Sequence, residues 1–353
     1  MDALPVVLAG ANGTGKTNLL EALSLLSPGR GLRGAKLAAI QRNPPTDESL
    51  WAVSATIARF PNGSWDVGTG LLPPGGHGPI PASARRRALH LNGAPAGNGD
   101  IAELLPMLWL TPAMDRLFLE GASERRRFLD RLVFALAPGH ARHAARYERA
   151  MAERLRLLRD GARDGAWIEG LEQTMAEEGA ALGGARLALI ERLNGELRER
   201  RAEGAFPCAQ LALGDALGDA ASDPVKLQKA LAASRERDAE AGRTLAGPHL
   251  ADLEVRHTPK RADARDCSTG EQKALLISIV LANAWLQRKR HGVAPVLLLD
   301  EIAAHLDAAR RGALFEEILA LKSQAWLTGT DRKLFAPLEA HAMFFAIDNG
   351  RFV

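Results

Sequence analysis

Apolar residues recur along this chain with two different periods, and the changes of period mark its elements. Residues 5–8 form a short continuous apolar run, the pattern of a buried strand. The loop "GANGTGKT" follows, and "NLLEALSLL" then places Leu19, Leu20, Leu23 and Leu26 on one helical face. Strict alternation in "LWAVSATIARF" predicts a half-buried strand, with Asn62-Gly63 as a turn and a second strand after it. Asn92-Gly93 after "RRRALHL" is another hairpin signal, so this part is expected to be antiparallel, with "PPGGHGPIP" as a loop. From Ser123 to about Ala202 the period becomes helical, and Leu155, Leu158, Leu187, Ile190, Leu193 and Leu197 recur three or four residues apart. Gly161, Gly165, Gly183 and Gly184 are expected to interrupt this run, which predicts a compact helical arm rather than a long coiled coil. Strands return after residue 240. "PVLLLDE" and "AWLTGTD" have the continuous apolar character of parallel strands covered on both faces. "MFFAIDNGRFV" closes the chain as a hairpin over Asn349-Gly350. The expected architecture is α/β with a mixed sheet, in two lobes interrupted by a helical arm: residues 1–112, 113–240 and 241–353.

Composition narrows the class without choosing a function. With 353 residues, 46% hydrophobic and 25% charged, the chain has what a globular protein of two or three compact units needs. Two cysteines in unrelated neighbourhoods, Cys208 and Cys267, fit a reducing cytoplasm better than a disulfide framework. No apolar run approaches the roughly 18 residues of a membrane helix, and "MDALPVVLAG" is too short for a signal peptide. A net charge of +3 is compatible with nucleic acid without establishing it.

Chemistry enters with Gly10-Ala11-Asn12-Gly13-Thr14-Gly15-Lys16-Thr17, a full match to G-x-x-x-x-G-K-[ST] between an expected strand and an expected helix. Glycines let backbone N–H groups wrap phosphates, and a helix N-terminus adds its dipole. Lys16 is placed to reach the β- and γ-phosphates and Thr17 to ligate Mg²⁺. The bland reading, a glycine turn before an ordinary helix, explains neither the lysine nor the threonine. "PVLLLDE" ends on two acids, and an acid at the end of a buried strand is costly unless paired or holding a metal. Asp300 is therefore the candidate Mg²⁺-organising carboxylate and Glu301 the candidate for orienting the attacking water; helix capping by both acids is the alternative. These segments indicate ATP or GTP, not which of the two.

A Ser-x-Gly-Glu turn opening the helix "STGEQKALLISIVLANAWL", together with "LLLDEIAAHLDAARR", resembles the ATP-binding head of the ABC class. The stretches "GTGKTNLLEALSLLSPGRGLR", "RRRFLDRLV" and "GPH" add a close resemblance to the bacterial RecF family, related to the SMC proteins, over nearly the whole chain. That resemblance implies a P-loop ATPase head that binds ATP and Mg²⁺, dimerises on ATP, and hydrolyses it slowly. It also implies that the signature turn of one subunit closes over nucleotide held by the other. Ser268 would then offer its hydroxyl and Gly270 its N–H to the γ-phosphate, Asp307 would set the dimer interface, and Thr330 would approach the γ-phosphate. A capping box of Ser268 and Glu271 fits the same four residues and can coexist with that role. The implied partners are duplex, gapped or single-stranded DNA, a second copy of the chain, RecR and RecO, with delivery of RecA, replication, recombination and the SOS response as the setting.

Three departures from the family pattern stand out. The family carries a further strand or two before its phosphate loop, with an Arg-Asn-aromatic element near the adenine, whereas nine residues precede Gly10 here. A late start would leave the sheet short of an edge and the base short of part of its pocket. Gly247-Pro248-His249-Leu250 stands where the family has Gly-Pro-His-Arg, and Thr330 stands where ABC transporters often have histidine. For DNA the sequence offers Arg125, Arg126 and Arg127 at the start of the arm and Arg85, Arg86 and Arg87 on a strand edge; solvated faces laced with acids are the equal alternative. Two rival classes, an ABC-transporter ATPase subunit and a small-molecule kinase, are disfavoured. The first places its signature much nearer the phosphate loop, and the second has no use for Ser268 or Asp307.

Overall fold

The computed structural model describes residues 4–36, 39–40, 51–59, 63–72, 86–134, 136–137, 139–161, 165–200, 205–214, 221–348 and 350–353. The first stretch contains β1 (Val6–Ala9), α1 (Lys16–Ser24), β2 (Ala52–Arg59), β3 (Gly63–Leu72), β4 (Arg86–Leu91), β5 (Ala94–Pro95), α2 (Asn98–Leu104) and β6 (Met107–Leu110). Next come α3 (Ala122–Phe134), α4 (His140–Arg159), α5 (Gly165–Arg200), β7 (Ala209–Gly214), α6 (Pro224–Ala233), α7 (Arg235–Ala241), β8 (Asp252–His257) and β9 (Ala262–Asp263). The last are α8 (Thr269–His291), β10 (Val296–Leu299), α9 (Ala308–Leu321), β11 (Ala325–Gly329), β12 (Met343–Asp348) and β13 (Arg351–Phe352).

These elements form two compact units, residues 1–114 with 287–353, and residues 115–286. The first contains a six-stranded mixed sheet in the order β13-β12-β1-β11-β10-β6, parallel except for the β12–β13 hairpin. The apolar runs of β1 and β10 are buried, as strands covered on both faces must be. A second, antiparallel sheet runs β2-β3-β4-β5. Its tightest corner is Asn92-Gly93, with φ of 51° and 80°, a two-residue turn whose backbone matches the strand twist. The other two turns close where expected, at Gly63 and Gly350, although Asn62 and Asn349 lie outside the described residues, as does the loop at 73–81. One core joins both sheets and α1: Val6, Leu8, Leu20, Val67, Ile101, Trp109, Leu298 and Ile347.

The second unit is built on α4 and α5, packed through Tyr147, Ala150, Met175, Ala176 and Leu182, with Leu227 and Leu231 of α6. Its sheet, β7-β8-β9, is antiparallel. Asn194 of α5 braces β7 by accepting from Leu211 N and donating to Leu211 O, both at 2.8 Å.

Two expectations need correction. Gly161 does mark a break, between α4 and α5, but Gly183 and Gly184 do not: α5 runs 36 residues straight through them. A Cβ on Gly183 would stand 2.3 Å from the Ala221 carbonyl oxygen, so this glycine serves close approach of a neighbouring backbone. The second concerns the last boundary. Residues 241–286 form a compact unit with the helical segment, whereas the sequence grouped them with the C-terminal strands. Ion pairs bind them there. Arg125 of α3 makes a bidentate pair with Asp252 at 2.7 and 2.6 Å, and Arg126 donates to Ala251 O at 2.7 Å. Arg186 of α5 holds Asp130 at 2.8 and 2.9 Å and Pro248 O at 2.6 Å. Burial works against ionisation of Asp130, yet hydrogen bonds from His140 and Arg186 prevail and hold its carboxyl below the ordinary range.

Candidate nucleotide-binding site

β1 delivers the chain into the phosphate loop, and Gly10 lies where its N–H donates to Gly329 O of β11 at 3.2 Å. A Cβ at Gly10 would approach the Ile347 carbonyl oxygen to 2.5 Å, so the loop's first position tolerates glycine alone. Gly15 has φ 103° and sits at the N-cap of α1, a conformation that favours glycine. No side chain caps that helix, and its first turn carries no acid. Among the described residues the N–H groups of Gly13, Gly15, Lys16 and Thr17 donate to no protein acceptor. Four unused donors at a helix N-terminus form an anion cradle.

Lys16 is buried, and its ammonium donates to Gly10 O at 2.7 Å and Ala11 O at 2.8 Å. Its positive charge is thus folded back over the loop, where phosphates would replace the carbonyls. Thr17 Oγ1 lies 3.0 and 3.1 Å from the two carboxylate oxygens of Asp300, a residue 283 positions away. Oxygen donors of this kind suit Mg²⁺, so the pair fits the ion the sequence implied. Asp300 directly follows β10, and its N–H donates to Leu110 O of β6 at 2.9 Å.

Glu301 adopts φ 49° and ψ 27°, a left-handed conformation rare for a residue with a side chain. Thr328 holds it there. Its buried hydroxyl accepts from Glu301 N–H at 2.8 Å and donates to Asp300 Oδ1 at 2.7 Å. Strain of this sort persists only where surroundings over-determine it, and it concentrates at functional sites. The Glu301 carboxylate has no partner among the described residues and is partly exposed. Sequence reasoning missed Thr328, although one threonine inside the apolar "AWLTG" strand signals a buried hydroxyl that needs partners. It also missed Gly350, whose N–H donates to Thr14 O at 2.8 Å and braces the loop.

Asp307 is exposed and caps α9, accepting from Arg310 N–H at 2.8 Å. Thr330 is exposed just beyond β11. The signature turn belongs to the other compact unit. Ser268, Thr269 and Gly270 are exposed, while α8 beyond them is buried through Leu275, Ile279 and Ala282. The capping box forms by half: Glu271 Oε2 accepts from Ser268 N–H at 3.1 Å and from the Ser268 hydroxyl at 2.9 Å. Gln272 pins the turn from beneath by donating to Cys267 O at 2.9 Å.

Of the arginines singled out for DNA, Arg87, Arg125 and Arg126 hold internal partners. Arg125 and Arg126 bind Asp252 and Ala251, as above, and burial pulls the Arg126 guanidinium below its ordinary value. Arg127 is exposed and pairs with Glu124 one turn earlier. Arg87 donates to Thr69 Oγ1 at 2.7 Å and to the carbonyls of Leu25, Ser27 and Gly29, which ends α1 at Ser24. Arg85 and the Arg86 side chain lie outside the described residues. Cys208 and Cys267 are both free thiols. No helix among the described residues is long and apolar enough to cross a membrane.

The mixed sheet, the phosphate loop ahead of α1 and the acids that follow β10 define the nucleotide-binding head of a P-loop ATPase. Residues 2–350 match the family described as the RecF/RecN/SMC N terminal domain. Two relatives called DNA replication and repair protein RecF are each 48% identical. That of Mesorhizobium japonicum aligns over 352 residues, 98% of this chain and 90% of its own, and that of Caulobacter vibrioides over 96% and 89%. Among solved structures, the recombination mediator protein RecF-ATP in the RecFOR pathway superimposes with a TM-score of 0.82 at 21% identity, covering 100% of this chain and 92% of that one. The Smc head domain from Pyrococcus furiosus shares the fold at a TM-score of 0.52 and 17% identity, covering 100% and 89%. The chain belongs to the RecF family.

Proposed function

We propose that this protein is an ATP-binding protein of DNA replication and repair in which ATP joins two copies around DNA and slow hydrolysis releases them. The observation that carries this is the pairing of Thr17 with Asp300 beneath an uncapped, lysine-bearing helix N-terminus. In that cradle the loop N–H groups and Lys16 bind the phosphates of ATP. Thr17 and Asp300 would hold Mg²⁺, which supplies positive charge to the phosphate oxygens when bound. Glu301, without a carboxylate partner among the described residues and fixed by Thr328, orients the attacking water. Exposed Ser268 and Gly270 offer a hydroxyl and a free N–H to nucleotide on a second copy, with Asp307 at that interface and Thr330 near the γ-phosphate.

For DNA, α4 supplies a surface the sequence reading overlooked. Arg142, Arg146, Arg149 and Arg156 lie on one exposed helical face. Arg146 pairs with Glu178, while Arg142, Arg149 and Arg156 have no partner among the described residues. Unpaired arginines along a helix suit phosphates, and 5% aromatic residues leave little for base stacking. Family membership supports RecO and RecR as proposed partners, with RecA loading at gaps and SOS induction as the proposed setting.

The test compares Lys16→Met with Ser268→Arg. Lys16→Met is expected to abolish nucleotide binding by the single subunit. Ser268→Arg is expected to bind ATP normally, yet to lose ATP-dependent dimerisation and DNA-stimulated hydrolysis. Normal dimerisation by Ser268→Arg would refute the cross-subunit role.

A further inference from the structure

We infer that Lys260, on the turn joining β8 to β9, is a positioning residue that frees the Ser268 hydroxyl to exchange Glu271 for the γ-phosphate held by a second copy. The inference rests on the cross-subunit role proposed above and adds to it the group that makes the exchange feasible.

A serine hydroxyl has one proton to donate. In the free subunit that proton goes to Glu271 Oε2, 2.9 Å away, and the same carboxylate oxygen accepts the Ser268 N–H at 3.1 Å. The turn is therefore closed on itself, with its hydroxyl committed inward. To reach a phosphate, Ser268 must give up the carboxylate. That leaves Glu271 negative beside an incoming triphosphate, and like charges at such range repel. Lys260 answers both difficulties, because its ammonium pairs with the other oxygen, Glu271 Oε1.

Among the described residues no other cation pairs with Glu271. The segment entering the turn carries Asp263 and Asp266, and Asp263 already engages Arg256 and Arg265. Lys260 is thus the cation paired to Glu271, and at 56% exposure it can also face a docking surface. Protonation cannot replace it. The Lys260 contact, followed by the two Ser268 hydrogen bonds, holds the Glu271 carboxyl down to about 2, so it stays ionised throughout the neutral range. A carboxylate that stays ionised beside an incoming triphosphate is best compensated by a cation.

The experiment measures ATP-driven dimerisation by sedimentation for the full chain, Lys260→Met, Lys260→Arg and the double variant Lys260→Met/Glu271→Gln, at low and moderate salt. ATP binding by the single subunit is followed in parallel. Lys260→Met is expected to weaken dimerisation roughly three- to tenfold at low salt and less at moderate salt, as screening predicts. Lys260→Arg should restore it, the double variant should recover much of it, and ATP binding should be unchanged throughout. Dimerisation of Lys260→Met at the parental strength would overturn the inference. So would a double variant as impaired as the single one, which would make Lys260 a fold-holding residue only. A parental chain that stays monomeric with ATP would overturn the cross-subunit role first, and this inference with it.

Discussion

Arginines that look alike in sequence do opposite work in this molecule. Arg87 sits beneath the end of α1, with its guanidinium shared among three carbonyls and a threonine, and burial draws its pKa below the ordinary value. Arg142, Arg149 and Arg156 stand exposed on α4 without partners among the described residues. Arg87→Ala should therefore lower stability by about 1–3 kcal/mol, because three carbonyls lose their donor, while the salt dependence of DNA binding stays unchanged. Replacing Arg142, Arg149 and Arg156 together with alanine should leave the melting temperature unchanged and cut the slope of log affinity against log salt by about 2–3. Thermal melts and DNA titrations at several salt concentrations separate the two. At this scale the phosphate loop was legible because phosphate geometry admits few residue types at each position. The fates of Arg87, Arg125 and Arg126 were not, since their partners are chosen by distant segments. Thr328 escaped notice for the same reason, since it matters through Asp300, 28 residues away in the chain, and Lys260 did because the turn that brings it to Glu271 shows only in the fold.

Elements followed their patterns where the pattern was local. β1, β10 and the three glycine-bearing hairpins formed where continuous apolar runs and Asn-Gly pairs foretold them. α5 defied its composition, because glycine in a helix has two opposed meanings that sequence does not separate. Gly170 is exposed with open space where a Cβ would stand, so it carries only the entropic cost of glycine. Gly183 makes room for the Ala221 backbone. Gly170→Ala should accordingly stabilise the protein by about 0.5–1 kcal/mol. Gly183→Ala, in the same helix, should destabilise it by about 1–3 kcal/mol through overpacking. Denaturant titration of the two variants reads the sign directly, and equal signs would show that the close approach at Gly183 is not what governs it.

For the whole molecule, the phosphate loop and the signature turn belong to different compact units, and each is finished by its own neighbours. Thr328 and Gly350 complete the first; Glu271, Gln272 and Lys260 complete the second. The family resemblance implied that the signature serves another copy, but its closed, self-bonded state in the free subunit emerged only from the structure. In the proposed dimer one nucleotide site takes its phosphate loop from one copy and its signature from another. Mixing two variants tests this arrangement. Lys16→Met subunits keep an intact signature, and Ser268→Arg subunits keep an intact phosphate loop, so a mixed dimer contains one complete site. Neither variant alone should hydrolyse ATP or dimerise with it. An equimolar mixture should regain both, with hydrolysis at a fraction of the parental rate. A mixture as inert as its components would rule out a site shared between copies.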